Sequence, residues 1–279
     1  MTSYDDIFST EESRQTEQIQ QIPIADLHPF KNHPFKVLDD EAMQRTVESV
    51  AQFGVLAPLI VRPREEGGYE IISGHRRQHA AELAGLTTLP VIVRDMDDNQ
   101  AIINMVDSNL QRESILPSER AFAYKMKLEA IKNQGARSDL TSSQVGMKLQ
   151  AMDIVGQEAG ESRNQVHRYI RLTELIPELL DMVDTGQIKF NPAVELSYLA
   201  SEEQKDFLSA MDYAQAAPSL SQAQRIKKLA QEGECTLDAM CEIRRTGRST
   251  PTRLSAIQTT TQKPRQPNSE ELPYSRPAH

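Results

Sequence analysis

Every stretch of this chain that reads as a β-strand lies before Asp97, and almost everything readable after it is helical. That division predicts an α+β protein: a small mixed α/β domain followed by an all-α region. Pro58-Leu-Ile-Val-Arg62, Tyr69-Glu-Ile-Ile72 and Leu89-Pro-Val-Ile-Val93 are short apolar runs, the first two separated by a Glu65-Glu-Gly-Gly68 turn. Ile22-Pro-Ile24 is a further strand candidate, followed by a Pro-rich loop from His28 to Lys36. Asp39 is placed to cap a helix whose Met43, Val47 and Val50 share one face, with Gly54 as its stop. A second helix is expected from His75 to Gly85. Beyond Asp97 one helix runs to about Asn109. Another starts near Pro117, with Ala121, Tyr124, Leu128 and Ile131 on one face and Gly135 behind it. Helical patterns follow at 142–150, 151–159, 162–174, 177–184, 191–199, 201–215, 219–232 and 236–246, without an internal repeat.

Composition marks the ends of the chain. Residues 1–20 lack periodicity and carry Asp5, Asp6, Glu11, Glu12 and Glu17 against Arg14, so an unfolded acidic tail is expected there. From Ser249 the chain is rich in Thr, Gln and Pro, a composition that builds no packed core. Between them, the expected divisions are 21–110 for the α/β domain, 111–215 for a helical domain and 216–248 for a helical C-terminal segment, with 249–279 as a second tail. No stretch approaches the roughly 18 apolar residues of a membrane helix, and no basic-then-apolar leader is visible, so a cytoplasmic protein is expected. The gap between Cys235 and Cys241 suits neither a disulfide framework nor a zinc knuckle.

The strongest local motif is Ile72-Ser73-Gly74-His75-Arg76-Arg77 at a strand-to-helix junction. A glycine lets the backbone turn, and the helix that follows offers free amides and a positive dipole end, with two guanidinium forks. Arginines there oppose the dipole, which a purely structural role leaves unexplained; the chemistry points to a polyphosphate. His75 and His79 have the i, i+4 spacing of some zinc sites, but the flanking arginines repel a metal and no acid follows His75. Ser108, Asn109 and Arg112, at the end of the next helix, form a second and weaker element that simple capping also explains.

A net charge of −9 argues against a nucleic-acid binder only if charge location is ignored. From Ser162 to Leu172 there are three arginines and no acid. Asp153 to Ala159, Gly160, and a helix capped by Ser162 have helix-turn-helix form. Val166 and Ile170 supply the buried face. Ser162, Arg163, Asn164, Gln165, His167, Arg168 and Arg171 are the candidates for contact with base edges and phosphates in a major groove, although a solvated helix face has the same composition and His167 could instead be a packing residue.

Taken together, Gly54-Val-Leu-Ala-Pro-Leu-Ile-Val61, Tyr69-Glu-Ile-Ile-Ser-Gly-His-Arg-Arg77, Ala84-Gly-Leu86 with Leu89-Pro-Val-Ile-Val93, Asn109-Leu-Gln-Arg112 and the helix-turn-helix resemble the ParB/RepB-type partition proteins, from about Ile22 to Leu199. The resemblance implies a ParB/sulfiredoxin-like N-terminal domain that binds CTP and closes as a clamp on DNA after loading at a palindromic centromere site. It also implies a homodimer and a ParA-type ATPase partner. Under it, Ser73, Gly74, His75, Arg76 and Arg77 belong to the phosphate site, and Asn109 helps place a nucleotide-bound Mg²⁺ beside Ser108 and Arg112. The departures are His75 and Ser108 where the family commonly has Glu, and His33-Pro34-Phe35 where it has Gln-Pro-Arg. These leave open whether CTP is slowly hydrolysed. The same domains could serve a transcriptional regulator with weak or no nucleotide binding. A sulfiredoxin activity lacks its cysteine here, and a nuclease lacks its carboxylate cluster.

Overall fold

The computed structural model describes residues 18–112, 114–138, 144–214 and 216–246. Five strands, β1 (Ile19–Pro23), β2 (Leu27–His28), β3 (Leu59–Pro63), β4 (Tyr69–Ser73) and β5 (Thr88–Val93), form one mixed sheet in the order β1-β5-β3-β4-β2. β1 runs antiparallel to β5 and β3 antiparallel to β4, while β5/β3 and β4/β2 are parallel. α1 (Glu41–Phe53) lies between β2 and β3, and α2 (His75–Leu83) between β4 and β5.

The sheet is covered on both faces, and β4 shows why. Successive strand residues point to opposite sides. Ile71 packs with Met43, Val50, Ala80, Ala81, Leu59 and Val91, the core under α1 and α2. Ile72 packs the other way, against Phe30, Phe35, Ala101, Met105 and Ala123. The second face therefore belongs to α3 (Asp98–Leu110), α4 (Pro117–Ser138) and the loop after β2. Because Ala123 of α4 shares this core with Ile72, apolar packing continues straight across the expected division at residue 110.

The remaining helices are α5 (Gln144–Ala159), α6 (Arg163–Arg171), α7 (Pro177–Asp184), α8 (Phe190–Leu196), α9 (Ser201–Ala214), α10 (Leu220–Glu232) and α11 (Leu237–Thr246). Tyr124, Val155 and Val166 join α4, α5 and α6, and one aliphatic cluster from Leu172 to Ile243 unites α7 to α11.

Several boundaries differ from expectation. The first strand begins at Ile19 and ends at Pro23, pairing through Gln20 and Gln21 as a polar edge, and Ile24 opens a 3-10 turn. Asp40, not Asp39, caps α1 by accepting the Met43 amide, while Asp39 meets the ring of His79 at 2.7 Å. α4 continues through Gly135 to Ser138. The patterns at 142–150 and 151–159 are one helix, α5. The rest of both expected tails lies outside the described residues.

One buried charge ties three helices. Lys127 of α4 is fully buried, and its ammonium donates to Asp107 of α3 and pairs with Glu158 of α5 at 2.5 Å. A buried ammonium without its anions is costly, whereas the two half-exposed acids rehydrate if the lysine is removed. The double change Asp107→Asn with Glu158→Gln is therefore expected to cost about 3 kcal/mol in urea unfolding. Lys127→Met should cost clearly less; the reverse order would show that the lysine stem, not its charge, supports the packing.

Candidate nucleotide and nucleic-acid sites

Where β4 ends, the chain turns through Gly74, which has φ 114° and ψ 17° and serves as the N-cap of α2. A Cβ there would stand 2.6 Å from Leu59 Cγ, so only glycine fits. No side chain caps this helix start, and its first amides are left for another acceptor.

The arginines diverge. Arg76 is half-buried and lies 3.6 Å from Asp40. Arg77 turns back, donating from Nη1 to the carbonyls of Ala57 and Pro58 at 2.6 and 2.7 Å, and burial lowers its pKa. Arg77 thus holds the loop between α1 and β3, whereas Arg76 is the cation presented at the helix start. Ser73, at the end of β4, pairs with Ile60.

His75 points inward. Its ring is buried and centred 3.9 Å from that of His33, and its Nε2 accepts the Phe30 amide at 3.4 Å. Burial, then the neighbouring His33 and Arg112, push its pKa down to about 3, so the ring is neutral at ordinary pH. His33 bonds the Phe35 carbonyl through Nδ1 at 2.8 Å, while its Nε2 is buried with no partner; burial lowers its pKa also. The loop after β2 is thereby folded onto the start of α2.

The end of α3 closes the same corner. Arg112 sits 5.5 Å above the Phe35 ring, its pKa lowered by burial and by the charge of Arg76 against the opposing pull of Glu119. Ser108 donates its hydroxyl to the Met105 carbonyl. Asn109 is buried and donates its amide nitrogen to the same carbonyl at 2.8 Å, which leaves its side-chain oxygen as the end suited to a cation. Among the described residues no group of three His, Cys, Asp or Glu side chains could hold a metal. The donor set therefore fits only an ion carried mainly by phosphates and water, as Mg²⁺ is.

The helix-turn-helix is built by close approach. Gly156 of α5 lets the Glu161 carbonyl come within 2.6 Å of where a Cβ would be, and Gly160 takes φ 69° at the turn. Ser162 caps α6 by accepting the Gln165 amide. Val166 is buried, leaving Arg163, Asn164 and His167 exposed and Gln165 and Arg168 half-buried. Arg163 reaches Asp153 at 3.4 Å. Arg168 donates to Asn191 Oδ1 at 2.5 Å and lies 5.3 Å over the Phe190 ring. Arg171 is committed elsewhere: it donates to the Ser197 carbonyl and stacks 4.2 Å above Tyr198, joining α6 to α8.

Sequence reading missed Glu119, Arg120 and Lys127, all on α4. Glu119 accepts the amides of Lys36 and Leu116. Arg120 pairs with Glu161 at 3.1 Å and lies over Tyr169. Lys127 did carry a signal, because three residues after Tyr124 and four before Ile131 it falls on the buried face of the helix.

A glycine-opened helix start with Arg76 beside it, on a two-faced mixed sheet joined through α4 to a helix-turn-helix, defines a small α/β domain followed by a helical one. Residues 9–110 match the model of the ParB N-terminal domain, and through this domain the chain belongs to the ParB family, as the sequence resemblance indicated. The chromosome-partitioning protein Spo0J of Thermus thermophilus is 32% identical over 185 residues, 66% of this chain and 62% of that protein. The stage 0 sporulation protein J of Bacillus subtilis is 37% identical over 172 residues, 62% of this chain and 55% of that one. The chain thus spans about three fifths of the length of these curated relatives. Crystal structures of the C-terminally truncated ParB of Caulobacter crescentus, complexed to the centromeric parS site and with CTP-gamma-S, cover 81% and 66% of this chain and 99% and 93% of those chains. They are 23% and 27% identical with TM-scores of 0.44 and 0.33, overlaps too loose to inform ligand geometry. No helix among the described residues is long and apolar enough to cross a membrane.

The buried histidine sets a pH dependence. Its folded pKa lies below the unfolded 6.5, so the unfolded chain takes up the proton first and stability falls as pH drops from 6.5 toward about 3. His75→Gln is expected to flatten the stability profile between about pH 5.5 and 4 by about 1 kcal/mol per pH unit, read from urea midpoints. An unchanged slope would place the titration elsewhere. Gly74→Ala, which adds strain and a clash with Leu59, should cost about 2 kcal/mol or more in the same assay.

Proposed function

We propose that this chain is a centromere-binding partition protein whose N-terminal domain holds CTP with Mg²⁺ and gates a DNA clamp. The observation that carries the reading is the convergence at one corner of the uncapped α2 start, Arg76, and Arg112 at the end of α3. The α2 amides beyond Gly74 and the guanidinium of Arg76 would take phosphate oxygens, with Ser73 and Arg77 supporting the turn and Arg112 closing the far side. Asn109, beside Ser108, would offer its oxygen to a phosphate-bound Mg²⁺, which when bound neutralises phosphate charge. His75 lines the site from beneath by fixing the loop after β2.

The carboxylates near this corner are already engaged: Asp40 caps α1 and faces Arg76, and both oxygens of Glu119 accept backbone amides. Neutral His75 spends its acceptor on Phe30. Such a site favours nucleotide binding over turnover, and any CTPase activity would be slow.

Arg163, Asn164, His167 and Arg168 form the face offered to a major groove, Gln165 flanks it, and Ser162 and Arg171 hold the helix in place. Two such helices in a homodimer suit a palindromic site. The name of the Thermus relative, a chromosome-partitioning protein, supports the partition role; a ParA-type ATPase as partner and location on nucleoid or plasmid DNA in the cytoplasm belong to the same proposal. Replacement of family carboxylates by His75 and Ser108 is the observation that favours the second reading, a transcriptional regulator with a silent nucleotide fold.

Calorimetric titration with CTP, ATP, GTP and UTP in Mg²⁺ separates the two. Selective binding of CTP, lost in Arg76→Ala, is the expected result; no binding of any nucleotide by a protein that still binds DNA would favour the regulator. Arg76→Ala is a cleaner test than Arg77→Ala, because Arg77 also ties down Ala57 and Pro58. Arg168→Ala should weaken specific DNA binding by about 1–3 kcal/mol in fluorescence anisotropy without changing nucleotide affinity.

A further inference from the structure

We infer that Lys127 is a positioning residue through which occupancy of the nucleotide site is passed to the helix-turn-helix. The inference rests on the nucleotide reading of the α2–α3 corner given above.

Among the described residues of α4, Lys127 is the one whose charge reaches both neighbours: Asp107 on the last turns of α3 and Glu158 at the end of α5. Asp107 precedes Ser108 and Asn109 directly. Glu158 stands two residues before the Gly160 turn that leads into α6. A single buried ammonium thus bridges the helix that would place the metal and the turn that sets the reading helix. For packing alone an aliphatic side chain would serve better, since burying an ion pair costs desolvation that an apolar residue avoids. What the ionic bridge adds is direction: it is strong in one geometry and breaks when either carboxylate moves.

The arrangement is able to move. Asp107 and Glu158 are 43% and 52% exposed, so either can exchange the ammonium for water. A cavity of about 340 Å³ lies against the bridge, lined among others by Asp107, Gln111, Tyr124 and Glu158, and leaves room between the end of α3 and the end of α5. Asn109 is tied through its amide to the Met105 carbonyl, within the same turn as Asp107. Asn109, were its oxygen drawn to a ligand, would therefore carry that turn with it and change the Asp107–Lys127–Glu158 contact. Arg120, seven residues earlier on α4, grips Glu161 and Tyr169, so α6 receives a second hold from the same helix. The bridge at Lys127 and the grip at Arg120 make α4 the lever between the two sites.

The test is amide hydrogen exchange of the full chain with and without CTP and Mg²⁺, in the wild type and in Lys127→Met. In the wild type, nucleotide is expected to change exchange at residues 74–80 and 107–112, and also in α5 and α6 by about fivefold or more. In Lys127→Met the change at 74–80 and 107–112 should persist while that in α5 and α6 falls to less than about twofold. A purely structural lysine would raise exchange equally with and without nucleotide. Glu158→Gln, which loosens one arm and keeps the lysine, should reduce the α5–α6 response in the same direction if Lys127→Met folds poorly. A response in α5 and α6 that survives in these variants, or that is missing from the wild type although residues 74–80 respond, would overturn the inference. No response at 74–80 in the wild type would instead remove the nucleotide reading itself, and the coupling with it.

Discussion

The two-sided burial of β4 is the constraint from which the rest of the molecule follows. Ile71 and Ile72 are both fully buried yet point in opposite directions, so helices must cover each face of the strand. α1 and α2 supply one cover; α3, α4 and the loop after β2 supply the other. Because α2 must start where β4 stops and still pack on Leu59, the junction has room for a glycine alone. The corner proposed to bind an anion is thus a consequence of covering an interior strand on both sides, and it lies at the carboxyl end of that strand, where open sheets leave space for ligands.

The features legible in the sequence were those set by short-range chemistry. The three apolar runs became β3, β4 and β5, and the Gly74 junction stood out because strand, glycine and helix start are contiguous. β1 was misplaced because its pairing runs through Gln20 and Gln21, which have no strand-like hydrophobic pattern, and its partner β5 lies far along the chain. α5 read as two helices because polar Gln150 interrupts the pattern, whereas packing on α4 through Ala151, Met152 and Val155 makes one. The inward turn of His75 was likewise hidden. It depends on His33 and Phe30, which only the folded loop after β2 brings to it. The commitments of Arg77 to Ala57 and Pro58, and of Arg171 to Ser197 and Tyr198, are hidden for the same reason: residue type announces a cation but not which acceptor claims it.

Charge in this protein is consequently better understood by its attachment than by its total. Of the arginines on α6, one locks the helix to α8, one is braced by Asn191 and Phe190, and one leans on Asp153 across the turn. Braced guanidinium groups lose less freedom when they meet a phosphate or a base edge than free ones do. An acidic chain can present such a helix to DNA while repelling it elsewhere, since exposed charges beyond about 10 Å are largely screened at moderate salt.

The same principle bears on the corner proposed to hold phosphate. A carboxylate at position 75 would sit beside Arg112 and near Arg76, neutralising part of the field that a polyphosphate needs. A buried histidine held neutral there leaves that field intact and still supports the loop, because its acceptor nitrogen takes the Phe30 amide. In the proposed site the cost falls on chemistry rather than affinity: a neutral ring whose acceptor nitrogen is occupied is no general base for a water. Under the proposed reading such a site holds an anion, and Lys127 meets it through Asp107, two residues before Asn109 on α3.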